Sequence, residues 1–525
     1  MRYYKRILSV ILLAGSLAWT LWFVFAGLGN HLDPCYWLYK YQTASSGWMS
    51  VGTIMVGHVC VRLFGVELLP LRLLGWLCVV VAISLPYLCL LSREQKRDNI
   101  HWLAVALALM NYGAFQEFSP GTLTVLLLSV IWVLLVRYRH NERKVTYAVG
   151  LGVSVGLAIA VRFPNILALP VVLVAMNSDS DLRREWHWRD RLIALATCMA
   201  GAGIVYLLGH WLVTPAYADA AMNSHQLSKM IADLWQKGAQ MAGYALMWMG
   251  VILLGRLTEK KLPERWRTVG LISAGVLMGG LMIYYVTFVP TTWQWYNFDL
   301  TYMISALGIM LALLSGHPLY VWGAALLTVA SLGTDTAWLK LFPAMLCLVP
   351  IACGAYKREQ RLYLWPVIAL FAVSVMVRFS INSVGSSNLR VSNTKMSLSP
   401  YRYIRVRAEE KQWTERLMAD YDSLQTQGEV LAVGREMHRM RAMTGCQAAR
   451  YNEFWSNIFD SVYAAKYRTI IEQERPIVFC FYSPNFKAKP EYRDGHSALE
   501  EMLREEGYEE IVRTNYKYII YTPKP

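Results

Sequence analysis

Up to about residue 380 the chain alternates long apolar runs with short polar gaps. The runs are near, or slightly below, the roughly 20 apolar residues that cross about 30 Å of hydrocarbon as a helix. We therefore predict an all-α polytopic membrane domain over residues 1–380, with about 13 transmembrane helices. The predicted spans lie near residues 7–27, 73–91, 102–116, 121–136, 146–161, 164–177, 192–213, 241–255, 269–289, 299–315, 319–332, 341–356 and 364–380.

Residues 381–525 have a different pattern, with 19 Asp and Glu, 21 Lys and Arg and no run long enough to span a membrane. Helix-like and strand-like stretches alternate there, which predicts a small α/β domain. The predicted helices are Tyr401–Leu424, one that ends near Glu474, and Ser497–Glu506, and the predicted strands are Glu429–Val433, Ile477–Tyr482, Glu510–Thr514 and Lys517–Tyr521.

Composition and charge narrow the class of protein. The chain is 55% hydrophobic and 17% charged, below the roughly 25% charged residues of soluble domains. This composition argues against a purely soluble enzyme and excludes a disordered protein. Of the basic residues before residue 378, 22 lie in one alternate set of gaps and 7 in the other. This is the positive-inside pattern rather than a nucleic-acid-binding surface. It predicts a cytoplasmic N-terminus and, with an odd number of spans, an extracytoplasmic C-terminal domain.

The first outer loop, residues 28–72, is too apolar for an ordinary loop and predicts interfacial helices. Asp33 stands at its beginning, where a partly desolvated carboxylate beside a cation suits a general base. An Asp-Pro helix start explains the same residue. Trp48 and His58 are weaker candidates for lining a substrate, and His58 is more simply a structural histidine.

Two further outer turns carry charge between short spans. Glu117 is a functional candidate because a carboxylate at that depth is costly unless it meets water or a cation, although a capping acid at the interface is an equal alternative. Arg162 can hold a phosphate bidentately, with Arg72 and Lys40 in the same basic patch, or can simply snorkel. Trp293 and Trp295, in an aromatic outer loop, can stack on sugars or belong to an interfacial aromatic belt.

These features together resemble the GT-C superfamily of polytopic membrane glycosyltransferases, especially its protein mannosyltransferase and aminoarabinose transferase branch. The matching features are the acid that opens the first outer loop, the second outer acid, the thirteen spans and an outer C-terminal domain. The matching segments are Leu63-Phe64-Gly65, Leu71-Arg72-Leu73, Gly156-Leu157-Ala158 and Arg162-Phe163-Pro164-Asn165.

The resemblance implies an inverting glycosyltransferase that moves a sugar from a polyprenyl-phosphate donor to a glycan, lipid or protein acceptor at the outer face of the membrane. We expect that membrane to be a bacterial inner membrane, because no eukaryotic sorting signal is recognised in the sequence. Asp33 would be the base, Glu117 would orient the acceptor, and Arg162, Arg72 and Lys40 would hold the donor phosphate. Asp33 is followed by Pro34 instead of a second acid, so a divalent cation (Mg or Mn) on Asp33 and Glu117 stays open. The other function classes are a flippase or transporter and a polymerase or ligase of lipid-linked saccharides.

Cys446 and Cys480 lie in the predicted extracytoplasmic domain. They can pair as a disulfide in an oxidising periplasm or remain two buried thiols.

Overall fold

The computed structural model describes most of the chain outside a few segments. The described ranges are 2–27, 32–46, 49–92, 99–111, 117–177, 188–215, 295–332, 343–349, 393–434, 436–448, 461–481, 499–513 and 518–524, with Lys96 and scattered residues within 235–273 and 351–375.

The membrane part is helical. Five of the described helices are long and apolar enough to cross a membrane: Ile7–Val24, Leu68–Leu90, Pro120–His140, Lys144–Val161 and Trp188–Leu212. Shorter apolar helices occupy four other predicted spans. The runs predicted at 241–255 and 341–356 are described only in part, and those at 269–289 and 364–380 lie largely outside the described residues. The helices are α1 (Arg2–Val24), α2 (Leu32–Thr43), α3 (Val51–Phe64), α4 (Leu68–Leu90), α5 (Asn99–Asn111), α6 (Pro120–His140), α7 (Lys144–Val161), α8 (Ala168–Ala175), α9 (Trp188–Leu212), α10 (Trp295–Leu314) and α11 (Pro318–Thr328), with short 3-10 helices at Phe163–Leu167 and Val329–Ser331.

Close helix packing builds the core of this bundle. The fully buried Trp132 on α6 donates a 3.0 Å hydrogen bond to the Leu319 carbonyl, and its ring fills the space where a Cβ on Gly323 would stand. Gly156 on α7 lies so near α9 that a Cβ would come 2.4 Å from the Cys198 carbonyl oxygen. Because such approaches admit only a glycine, the Gly156-Leu157-Ala158 motif is a helix-packing feature of this chain.

The predicted interfacial helices of the first outer loop are α2 and α3. One boundary differs: α4 begins at Leu68, so Arg72 belongs to a helix and not to a loop that ends at residue 72. Ser45–Ser46 (β1) pairs in parallel with Thr214–Pro215 (β2), which ties the α2–α3 connection to the end of α9.

Beyond residue 393 a short antiparallel pair, Thr394–Lys395 (β3) and Arg405–Val406 (β4), precedes a five-stranded mixed sheet. Its strands are β5 (Val430–Gly434), β6 (Gln447–Ala448), β7 (Ile477–Phe481), β8 (Tyr508–Arg513) and β9 (Tyr518–Pro523), in the order β6-β5-β7-β9-β8. The four predicted strands are found within about two residues of their predicted starts. The helices of this part are α12 (Ala408–Leu424), α13 (Met437–Thr444) and α14 (Ser461–Glu474).

The sheet has an apolar layer on each face. Cys446 packs with Met437, Met440 and Phe479 on one face, whereas Cys480 packs with Val478 and Tyr521 in the cluster on the other. Both side chains are buried thiols, so the structure favours the second of the two interpretations left open by the sequence.

Candidate functional site

An ion pair joins two of the predicted site residues. The Arg72 guanidinium, from the beginning of α4, lies 3.4 Å from the Glu117 carboxylate through Nη2 and Oε1. The Arg72 side chain is 1% exposed and the Glu117 side chain 24% exposed. The Glu117 carboxylate is therefore partly open to solvent and faces a buried cation.

The same guanidinium also closes the end of α1. Its Nη1 donates to the carbonyls of Gly27 at 2.7 Å and Val24 at 3.3 Å, where the helix leaves carbonyls without intrahelical partners. A cation is favoured there by the helix dipole as well. The backbone N–H of Phe118 bonds to the Leu71 carbonyl at 3.2 Å, so the turn that carries Glu117 is fixed against α4.

Helix α2 packs over that turn. The Tyr41 hydroxyl donates to the Phe118 carbonyl at 2.9 Å, and its ring lies where a Cβ on Gly57 of α3 would stand. His58 Nδ1 lies 2.7 Å from the Tyr41 carbonyl, and Arg62 Nε lies 3.3 Å from His58 Nε2. His58 therefore links α2 to α3, which supports the structural interpretation of this histidine.

Asp33 lies in the first turn of α2, and its side chain lies outside the described residues. Lys40, in the last turn, is buried with its Nζ 5.5 Å from the centre of the Tyr36 ring. Trp48 and Trp293 fall outside the described residues, and only the backbone of Trp295 is described, at the start of α10. The substrate-lining roles of these tryptophans stay predictions.

Arg162 follows α7 and is directed away from solvent. Its Nη1 donates to the Ala330 carbonyl at 2.8 Å, and its Nη2 bonds to the Leu332 carbonyl. The start of α3 meets the same segment, because the Phe163 N–H bonds to the Met49 carbonyl at 3.0 Å and Thr53 bonds to the Val161 carbonyl at 3.0 Å. Arg162 thus lies under the first outer loop, on a different set of carbonyls from Arg72.

The segment that leads into the C-terminal sheet packs against the end of α1 and the start of α4. Arg405 exchanges backbone hydrogen bonds of 2.7 Å with Phe25 and Gly27 at the end of α1. The Leu68 N–H bonds to the Pro400 carbonyl at 2.9 Å, and Arg402 lies 3.8 Å from Glu67. The C-terminal part of the chain is therefore attached where Arg72 and Glu117 lie.

A buried polar cluster at this junction has no signal in the local sequence. The Tyr401 hydroxyl lies 2.9 Å from Cys35 Sγ, and the Arg439 guanidinium lies 5.1 Å from the Tyr401 ring. Burial by itself lowers the pKa of Arg439, but the nearby Tyr401, Glu410 and Glu436 raise that pKa above its ordinary value. Sequence reasoning missed these residues because Cys35 and Tyr401 are 366 positions apart.

A metal site is not found within the described residues, since they hold no group of three or more His, Cys, Asp or Glu side chains placed to bind an ion. Glu117 faces a guanidinium instead. The described side chains do not fit a divalent cation, and we derive no step through one.

Comparisons with known proteins agree with this architecture. Residues 53–207 match the family described as dolichyl-phosphate-mannose-protein mannosyltransferase. A search of curated proteins found no match. The oligosaccharyltransferase of Archaeoglobus fulgidus, crystallised with a tethered acceptor peptide containing the NVT sequon, is 12% identical with a TM-score of 0.50 over all of this chain and 75% of that one.

Two crystal structures of ArnT from Cupriavidus metallidurans are also similar. The apo form is 12% identical over 98% of each chain with a TM-score of 0.45. The form bound to undecaprenyl phosphate is 11% identical over 98% of this chain and 99% of that one, with a TM-score of 0.43.

The family match and the likeness in fold to the oligosaccharyltransferase confirm the resemblance of this chain to GT-C membrane glycosyltransferases. At these identities the structural likeness concerns the fold alone. The five helices that are long and apolar enough to cross a membrane identify this chain as a membrane protein.

Proposed function

We propose that this protein is an inverting glycosyltransferase of the bacterial inner membrane. It takes a sugar from a polyprenyl-phosphate donor and transfers it to an acceptor hydroxyl at the periplasmic face. In this proposal residues 1–380 form the catalytic membrane domain, and residues 381–525 form a periplasmic domain.

The observation that carries the proposal is the family match over residues 53–207. It includes Arg72, Glu117 and Arg162, and the family's name specifies a sugar on a polyprenyl phosphate. A lipid-linked donor suits a site at the outer ends of spans, because the bilayer delivers it to the protein without a nucleotide sugar.

In the proposed reaction the acceptor oxygen attacks the anomeric carbon while Asp33 takes its proton. The bond from that carbon to the phosphate oxygen breaks, and the polyprenyl phosphate leaves with the electron pair. One attack on the face opposite the leaving group inverts the anomeric configuration.

The leaving phosphate would be held by Arg162 with help from Lys40. A guanidinium has five N–H donors, and the carbonyls of Ala330 and Leu332 use two of those on Arg162. Arg72 was predicted in the same role, but its charge is paired with the Glu117 carboxylate at 3.4 Å, whereas the Ala330 and Leu332 partners of Arg162 are neutral carbonyls. We therefore assign Arg72 to holding Glu117, which orients the acceptor.

The test is a transfer assay with purified protein in lipid nanodiscs and a panel of radiolabelled polyprenyl-phosphate sugars. Wild type should release or transfer one sugar, and Asp33→Asn should lose turnover while keeping its folded state. Asp422→Asn is the matched control because Asp422 is exposed on α12 and lies in the C-terminal part of the chain.

Full turnover by Asp33→Asn would overturn the base assignment. Absence of transfer from every donor, with labelled lipid crossing the bilayer of proteoliposomes, would replace the proposal by a flippase.

A further inference from the structure

Helix α13, which lies between strands β5 and β6 in the chain, packs along α2 through two pairs of contacting side chains. The His438 ring meets the Tyr36 ring edge-on at 5.2 Å, and the Arg441 guanidinium lies 3.4 Å from the centre of the Tyr39 ring. The spacing is three residues on both helices, so one face of each helix carries both contacts. Four large side chains in contact at this spacing form a specific packing interface between the two helices.

Arg439 lies between those two contacts and is directed inward. Its side chain is 1% exposed, its Nη1 is ion-paired with Glu410, and Glu436 lies 3.9 Å away. The guanidinium is 4.1 Å from the Trp413 ring and 5.1 Å from the Tyr401 ring, which are cation–π distances. A buried cation with this many partners has one stable position, and the Tyr401 ring is held with it.

Tyr401 in turn contacts α2 and restrains its position. Its hydroxyl lies 2.9 Å from the sulfur of Cys35, and both side chains are about 1% exposed. Cys35 is two residues beyond Asp33, in the first turn of the same helix. Whatever fixes the Cys35 side chain also fixes the backbone from which Asp33 projects.

We propose that Arg439 and Tyr401 are positioning residues that hold the first turn of α2, and with it the backbone of Asp33. This inference rests on the proposed function, in which Asp33 is the base. In this inference, residues of the C-terminal part of the chain help to set the geometry of the candidate site. A small displacement of a reacting group costs a large factor in rate, so the effect is expected in kcat rather than in donor binding.

The kinetic test uses Tyr401→Phe, which removes the hydroxyl and keeps the ring beside Arg439. Turnover should fall about 10-fold with an unchanged KM for the donor. Cys35→Ser keeps a hydrogen-bonding partner and should stay within about twofold of wild type, whereas Cys35→Ala should match Tyr401→Phe. The double variant Tyr401→Phe/Cys35→Ala should turn over no more slowly than either single variant, because each substitution removes the same hydrogen bond.

Tyr508→Phe is the matched control. Tyr508 is a buried tyrosine at the start of β8, and its hydroxyl has no hydrogen-bond partner in the described part of the chain. Its loss should leave kcat unchanged. Equal losses in Tyr401→Phe and Tyr508→Phe, or full turnover in Tyr401→Phe, would overturn the inference.

Alkylation of Cys35 by N-ethylmaleimide, followed by peptide mass spectrometry, is a readout independent of transfer. The thiol should be protected in wild type and react several-fold faster in Tyr401→Phe and Arg439→Met. If wild type transfers no sugar, the proposed function fails while this labelling still shows whether Tyr401 holds α2. Unchanged labelling in both variants would overturn the inference whatever the activity.

Discussion

The guanidinium of Arg72 is shared between the Glu117 carboxylate, 3.4 Å away, and the Gly27 carbonyl at 2.7 Å. One buried side chain thereby joins the end of α1, the beginning of α4 and the second outer turn. Arg72 should therefore affect both the stability of the protein and its sugar transfer. Substitutions of Arg72 and of Glu117 can separate these two effects.

Arg72→Met should destabilise the protein by about 3 kcal/mol, because it leaves the Glu117 carboxylate and two carbonyls without their cation. Arg72→Lys should recover only part of this, since an ammonium cannot reproduce the fork geometry. Thermal unfolding in detergent measures both effects.

Glu117→Gln should have a smaller effect on stability than Arg72→Met, because the amide can still accept from the guanidinium and the site is partly open to water. It should nevertheless reduce sugar transfer. Equal thermal losses in Glu117→Gln and Arg72→Met would contradict the unequal roles assigned to the pair.

Arg162→Lys should lower transfer roughly 100-fold, because a bidentate guanidinium is replaced by a point charge at the leaving phosphate. The assay is the same labelled-donor reaction, run at saturating donor. Arg62→Lys is the matched control, since Arg62 is exposed on α3 and should tolerate the change. Wild-type rates in Arg162→Lys would remove Arg162 from the proposed site.

Gly156→Ala should destabilise the bundle by about 1–3 kcal/mol, because its Cβ would come 2.4 Å from the Cys198 carbonyl oxygen across the α7–α9 contact. Gly203→Ala, on α9, has nothing within 4 Å of the added carbon and should be neutral or slightly stabilising. Equal melting temperatures for the two variants would show that the close approach is absent.

Burial raises the pKa of Cys446 from 9.0 to about 11 and that of Cys480 from 9.0 to about 12. Native protein at pH 8 should therefore resist alkylation at both positions, and denatured protein should react at both. An intermolecular or intramolecular disulfide at either residue, seen as a mass change on reduction, would contradict this.

The same shifts predict the alkaline stability of the sheet. Both thiols stay protonated in the folded state while the unfolded chain ionises above pH 9.0, so their contribution is complete below that pH. It should be lost as the pH rises from 9.0 to about 12. Urea unfolding measured between pH 7 and pH 11 checks the direction, and the loss should shrink in Cys446→Ala.

The sequence by itself determined the described helices that are long and apolar enough to cross a membrane, the two helices between the first and second of these, and four strands of the C-terminal sheet. These follow from local periodicity and from the length of apolar runs, which neighbouring residues specify without any distant contact. It also singled out Glu117 as a charge in a costly place and Arg72 as part of a basic patch.

Tertiary structure alone decided which charges meet. It paired Arg72 with Glu117 across 45 positions, turned Arg162 onto the carbonyls of residues 330 and 332, and joined Cys35 to Tyr401 across 366 positions. It also placed Cys446 and Cys480 on opposite faces of one sheet. Such partners depend on how helices and strands pack, and a buried polar group must find a partner wherever the fold supplies one, which no local pattern records.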